Sequence, residues 1–122
     1  VNDIRAMIDD IEFEGKIEPG TIGEFVDRAA GARLVVNTTA VGMKGSRFDG
    51  LALDRVPADC LVTDIVYTPL VTPLLAEAAA RGLRTVDGLG MLLHQAVPGF
   101  ASWFGHRPEV TAELRARIEA TL

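Results

Sequence analysis

Continuous apolar runs mark the framework of this chain. "RLVVNTT" at 33–39 and "CLVTDIVY" at 60–67 gather Leu, Val and Ile without regular polar alternation, and the first ends in polar residues. Such runs suit strands covered on both faces, as in a parallel sheet. "RTV" at 84–86 and "KIE" at 16–18 are shorter strand candidates. Between them the spacing turns helical. Ile22, Phe25, Val26 and Ala29 follow Thr21, a residue suited to capping. In "TPLLAEAAARG", Thr72 is the expected N-cap, Pro73 the first helical residue and Gly82 the stop. "GMKGSRFDG" at 42–50 reads as a glycine-rich polar loop. In "TVDGLGMLLHQAVPGF" at 85–100 and just beyond, Leu89, Leu92, Leu93, Ala96, Val97, Phe100 and Phe104 predict a helix with one core face. Pro98 inside it removes a backbone bond and is expected to kink or shorten the helix. Val110, Leu114, Ile118 and Leu122 predict a last helix from about Pro108. The opening "NDIRAMIDDIE" reads as a helix entered directly from Val1.

Strands that alternate with helices predict an α/β fold with a mostly parallel sheet and flanking helices. No internal repeat or boundary interrupts residues 1–122, so a single domain is expected. Composition narrows the picture little: 48% of residues are hydrophobic and 24% charged, as in soluble globular proteins. The net charge of −5 argues against duplex DNA or an anionic membrane as partner. No apolar run approaches a membrane span and no signal peptide is visible, so a cytoplasmic location is expected. Cys60 stands alone at the head of an apolar run and reads as a buried, reduced thiol. His94 and His106 lack the spacing of metal ligands, and no metal site is expected.

Ligands of open parallel sheets bind beyond the carboxyl ends of the strands. Three loops leave predicted strand ends with unusual residues. "NTTAVGM" at 37–43 offers small hydroxyl side chains and a glycine, suited to close approach of a ligand, although from these residues alone an ordinary capped junction is the favoured reading. "DIVYTPLVTP" at 64–73 sets Tyr67 at a strand end before a proline-bearing turn. In the third loop Gly88 and Gly90 lack side chains where a helix begins, which lets a flat ligand lie against backbone. Met91 and Gln95, four apart, share a stripe above Gly88. Inside an otherwise apolar pattern, the Gln95 amide is expected to meet polar groups, from protein or from ligand.

In order and spacing, "NTTAVGM", "DIVYTPLVTPLLAEAAARG" and "TVDGLGMLLHQAVPGFASWFG" resemble the signature segments of the shikimate dehydrogenase family. Those patterns are approximately Asn-Ala-Thr-x-x-Gly-Met, Asp-x-x-Tyr-x-Pro-x-x-Thr-Pro-Leu-Leu and Asp-Gly-x-x-Met-Leu-x-x-Gln-Ala. The likeness extends from about residue 33 to the C-terminus. It implies a Rossmann-like cofactor domain and reduction of 3-dehydroshikimate to shikimate with NADPH, in the pathway to aromatic amino acids. Carried over by position, Tyr67 and Gln95 match substrate-binding residues. Ile65 and Gly88 match positions lining the nicotinamide site, with Met91 nearby, and Thr39 and Val41 fall in a loop bordering the cofactor. Thr38, Ala40, Thr68 and Pro98 depart from the common family residues.

Other family features have no counterpart here. The sequence holds no Gly-x-Gly-x-x-Gly turn and no Asn-Arg-Thr-like segment for the 2′-phosphate of NADP. The family's Lys/Asp proton-transfer pair belongs to its N-terminal substrate domain, and neither Lys16 nor Lys44 lies in a matching motif. The resemblance therefore implies the C-terminal part of a cofactor domain with its closing helices, inert alone and without a catalytic residue. Its expected partners are the small-molecule substrate, an N-terminal domain of the same enzyme and a second copy of the chain. Two alternatives stand beside this reading: an NAD-dependent quinate/shikimate dehydrogenase, and a Rossmann-like interaction or regulatory module without enzymatic activity.

Overall fold

The computed structural model describes residues 15–122, so the predicted N-terminal helix lies outside the described residues. Strands β1 (Leu34–Asn37), β3 (Leu61–Asp64) and β4 (Arg84–Val86) form a three-stranded, wholly parallel sheet in the order β1-β3-β4. A short strand β2 (Val41–Lys44) occupies the start of the predicted polar loop. The helices are α1 (Phe25–Arg28), α2 (Pro73–Ala80), α3 (Gly88–Phe104) and α4 (Ala112–Glu119). Turns of 3-10 helix at Ile22–Glu24 and Ala29–Gly31 flank α1. The "KIE" segment is not a strand.

One face of the sheet carries the core. Val35 and Val62 pack with Leu53, Val56, Cys60 and Leu83, and with Leu74, Leu75 and Ala78 of α2. On the other face Leu34, Val36 and Val86 are exposed. The expectation of strands covered on both faces thus holds for one face among the described residues. The apolar run gives the strand but does not say what lies against its second side.

Local chemistry explains where the elements stop. Thr72 caps α2 by accepting from the Leu75 N–H, and Pro73 takes the first helical position, whose N–H needs no partner. At the far end Leu83 N–H donates to Ala78 O at 3.0 Å and Gly82 N–H to Ala79 O at 2.9 Å, with Gly82 at φ 75. That paired closure requires a left-handed residue, which glycine adopts without strain. Asp87 begins α3 by accepting from Leu89 N–H at 3.0 Å. Its other oxygen holds Arg115 of α4 at 2.7 Å, and Arg115 also pairs with Glu119. The hydrogen bond from Asp87 raises the Arg115 guanidinium above its ordinary pKa, aided by the charges of both acids.

The long helix departs from expectation in two ways. It runs unbroken through Pro98 for 17 residues. The backbone bond that Pro98 forfeits would have reached the carbonyl of His94, an exposed residue where water can serve instead. Its apolar stripe is also only partly covered: Leu89 and Val97 are buried, whereas Leu92, Phe100 and Phe104 are exposed and Trp103 is 80% exposed. Among the described residues α4 packs beside this helix, and one short helix cannot shield the stripe. Helix α4 itself starts at Ala112, not near Pro108, because the Thr111 hydroxyl caps it by accepting from Leu114 N–H. No helix among the described residues is long and apolar enough to cross a membrane.

Candidate functional site

The parallel register sets Asn37 directly beside Asp64, each the last residue of its strand. Both are buried, Asp64 to 1% exposure. Asn37 Nδ2 donates to Asp64 Oδ1 at 2.9 Å. The same carboxylate oxygen accepts from Val66 N–H at 2.9 Å, and Oδ2 accepts from the Thr72 hydroxyl at 2.7 Å. This capture of the Val66 N–H explains why β3 ends at Asp64 although the apolar run continues to Tyr67. On the β1 side, Asn37 Oδ1 takes both the Thr39 N–H at 2.9 Å and the Thr39 hydroxyl at 2.8 Å. Asn37 Nδ2 also reaches Val41 O at 2.7 Å. Behind this network Gly42 lies at φ 116, close to the Thr72 side chain.

Above the two strand ends opens a cleft of about 430 Å³, within the usual range for small-molecule sites. Thr39, Ala40 and Met43 line one wall, and Ile65, Tyr67 and Thr68 the other. Tyr67 is 37% exposed. A second close approach meets the cleft from α3. A Cβ at Gly88 would collide with the Ile65 carbonyl oxygen and lie 2.5 Å from Ile65 C and 2.8 Å from Val66 O. The first turn of α3 therefore rests on the main chain of the cleft wall, and only glycine fits.

The residues singled out in the sequence sort accordingly. Thr39, Ile65 and Tyr67 line one cleft, and Gly88 abuts it through Ile65. Val41 borders a separate, smaller hollow of about 60 Å³ with Gly42 and Ser46. Met91 and Gln95, on the stripe beside the apolar face, are exposed on α3. The Thr39 hydroxyl turns inward, donating to Asn37 and accepting from Val41 N–H at 3.1 Å. Asn37 and Asp64 went unassigned in the sequence, and Thr72 was read only as a helix cap. The available signal was a polar residue at the end of one apolar run and inside the other, which parallel pairing sets side by side.

Comparison with known proteins fits this geometry. The model of the "Shikimate 5'-dehydrogenase C-terminal domain" matches residues 88–116, from the seated glycine into α4. The shikimate dehydrogenase (NADP(+)) of Chelativorans sp. (strain BNC1) is 53% identical over 122 residues, covering all of this chain and 43% of that protein. The chain is similar to shikimate dehydrogenases along its whole length. Two solved members of this group of folds illustrate the likeness. Shikimate 5-dehydrogenase from Thermus thermophilus, in complex with NADP(H) and shikimate, superposes with a TM-score of 0.61 at 38% identity, covering 69% of this chain and 32% of that one. Quinate dehydrogenase from Corynebacterium glutamicum in complex with NAD gives a TM-score of 0.68 at 36% identity, with 80% and 34% covered. The chain spans 32% to 43% of the lengths of the curated shikimate dehydrogenases it matches.

Proposed function

We propose that this chain is the C-terminal part of the cofactor domain of an NADP-dependent shikimate dehydrogenase. In this reading it forms, with an N-terminal domain, an enzyme that interconverts 3-dehydroshikimate and shikimate in the cytoplasm. The observation that carries the reading is the cleft at the carboxyl ends of β1 and β3, closed from the side by Gly88 resting on Ile65. A flat, partly apolar ring suits this place: Ala40, Met43 and Ile65 supply apolar surface, and the missing side chain at Gly88 lets the helix sit close. When bound, the nicotinamide of NADPH supplies the hydride.

This chain's own residues then bind and orient. Ile65 and Gly88 border the nicotinamide, Met91 packs nearby, and the Thr39–Val41 loop borders the remainder of the cofactor. The exposed Tyr67 hydroxyl and Gln95 amide hold the substrate's hydroxyl and carboxylate groups. Proton transfer falls to groups of the N-terminal domain; Lys16 is paired with Glu18 on the surface, and Lys44 lines an adjoining hollow with Met43 and Thr68 and not the cleft itself. The likeness to the quinate dehydrogenase favours a second reading, an NAD-dependent quinate/shikimate dehydrogenase. The relative that covers the whole chain is named for NADP, which is why NADP leads.

The test is the full-length protein assayed with shikimate and quinate, each with NADP+ and NAD+. Turnover of shikimate with NADP+ is the expected result; no turnover with any pair would sink the enzymatic reading and favour a binding module. In the active protein, Gln95→Ala is expected to lose about 1 to 3 kcal/mol of kcat/KM by removing a hydrogen bond to substrate. Its melting temperature should hardly move, because the amide is exposed. A normal kcat/KM for that variant overturns the Gln95 assignment. Tyr67→Phe is expected to raise KM for shikimate about fivefold, the worth of one net hydrogen bond of about 1 kcal/mol, again with an unchanged melting temperature. An unaltered KM removes the phenol from the substrate site.

A further inference from the structure

We infer that Asn37 is a positioning residue that sets the separation of the two cleft walls; the inference rests on the cofactor and substrate reading above. Its amide is used to capacity. Oδ1 accepts from the Thr39 N–H and the Thr39 hydroxyl, and Nδ2 donates to Val41 O and to Asp64 Oδ1. An amide has two acceptor sites on oxygen and two N–H donors, and all four are engaged here. Two of its bonds fix Thr39 and a third fixes Val41, the two ends of the loop whose Thr39 and Ala40 line the cofactor wall. The fourth crosses to Asp64, whose same oxygen holds the Val66 N–H one residue before Tyr67. A single bolt therefore joins the cofactor wall to the substrate wall. Asn37 is 4% exposed and does not line the cleft, so it acts through the residues it holds. An aspartate at this position keeps the acceptors but loses both donors and faces Asp64, and alanine loses all four bonds.

The two walls depend on Asn37 unequally. Without it, Val66 stays fixed by Asp64, which is also held by Thr72, whereas Thr39 and Val41 lose their anchor. The effect therefore falls on the cofactor side. In the full-length protein, Asn37→Ala should raise KM for NADP+ roughly tenfold or more, because small misplacements of binding groups carry large kinetic effects. KM for shikimate should stay within about twofold. Leu53→Ala, in the core and outside the cleft, supplies a variant destabilised by packing alone. It should leave both KM values within about twofold when assayed well below its melting temperature. If Asn37→Ala does not fold, Asn37→Ser, which keeps one hydroxyl, gives the same comparison at smaller amplitude.

The expected result is a selective rise in KM for NADP+ in the Asn37 variants only. Equal KM values for the Asn37 variants and wild type, or the same rise in Leu53→Ala, would overturn the positioning role while leaving the enzymatic reading intact. A wild-type protein that does not turn over shikimate overturns that reading, and this inference with it.

Discussion

Asp64→Ala is expected to destabilise the fold by about 3 to 5 kcal/mol, lowering the melting temperature by roughly 10 to 30 °C. The carboxylate accepts from Asn37 Nδ2, the Val66 N–H and the Thr72 hydroxyl, in a place from which water is excluded. Removing it strands these donors together, and each buried unsatisfied group costs about 1 to 3 kcal/mol before relaxation. Thr72 caps α2, so the loss spreads to the helix that covers the sheet. Calorimetry or chemical denaturation of the variant beside wild type measures it. A loss below about 1 kcal/mol would mean that the network is dispensable.

Gly88→Ala is expected to cost about 3 kcal/mol of stability and about 100-fold in kcat/KM. The added methyl collides with main-chain atoms of Ile65 and Val66, which cannot rotate away as a flexible side chain would. Helix α3 must therefore lift from the cleft wall, carrying Met91 and Gln95 with it. Gly90→Ala is the natural contrast. A Cβ there has its closest neighbour in Arg115 Nη1 at 3.8 Å, an ordinary contact. Alanine inside a helix should stabilise by up to about 1 kcal/mol relative to glycine. If both alanines behave alike in thermal melts and steady-state assays, the close seating of Gly88 is not what positions the helix.

Much of the architecture was legible along the chain because local chemistry decides it. The apolar runs at 33–39 and 60–67 contain β1 and β3, and Thr72, Pro73 and Gly82 bound α2 in the roles their side chains suggest. Burial was less legible. The stripe of Leu92, Phe100 and Phe104 predicts a covered face, but periodicity records only that a face is apolar, not what packs on it. The strand ends failed for a related reason: a side chain, that of Asp64, competes for the Val66 N–H, and no apolar pattern registers such competition. The cleft was half visible. Thr39, Ile65 and Tyr67, singled out along the chain, line one hollow, while the Asn37–Asp64 pair required strand register, which couples residues 27 apart.

The atoms nearest to a side chain at Gly88 are main-chain atoms of Ile65 and Val66. Helix placement is thereby uncoupled from the identity of residue 65. Its side chain, half-buried and lining the cleft, can be exchanged for others of comparable bulk while the seat beneath α3 keeps its shape. The helix seat and the lining of the hollow are thus written on different atoms of one residue. A lineage, or a library built at position 65, can vary that lining without renegotiating how the helix docks.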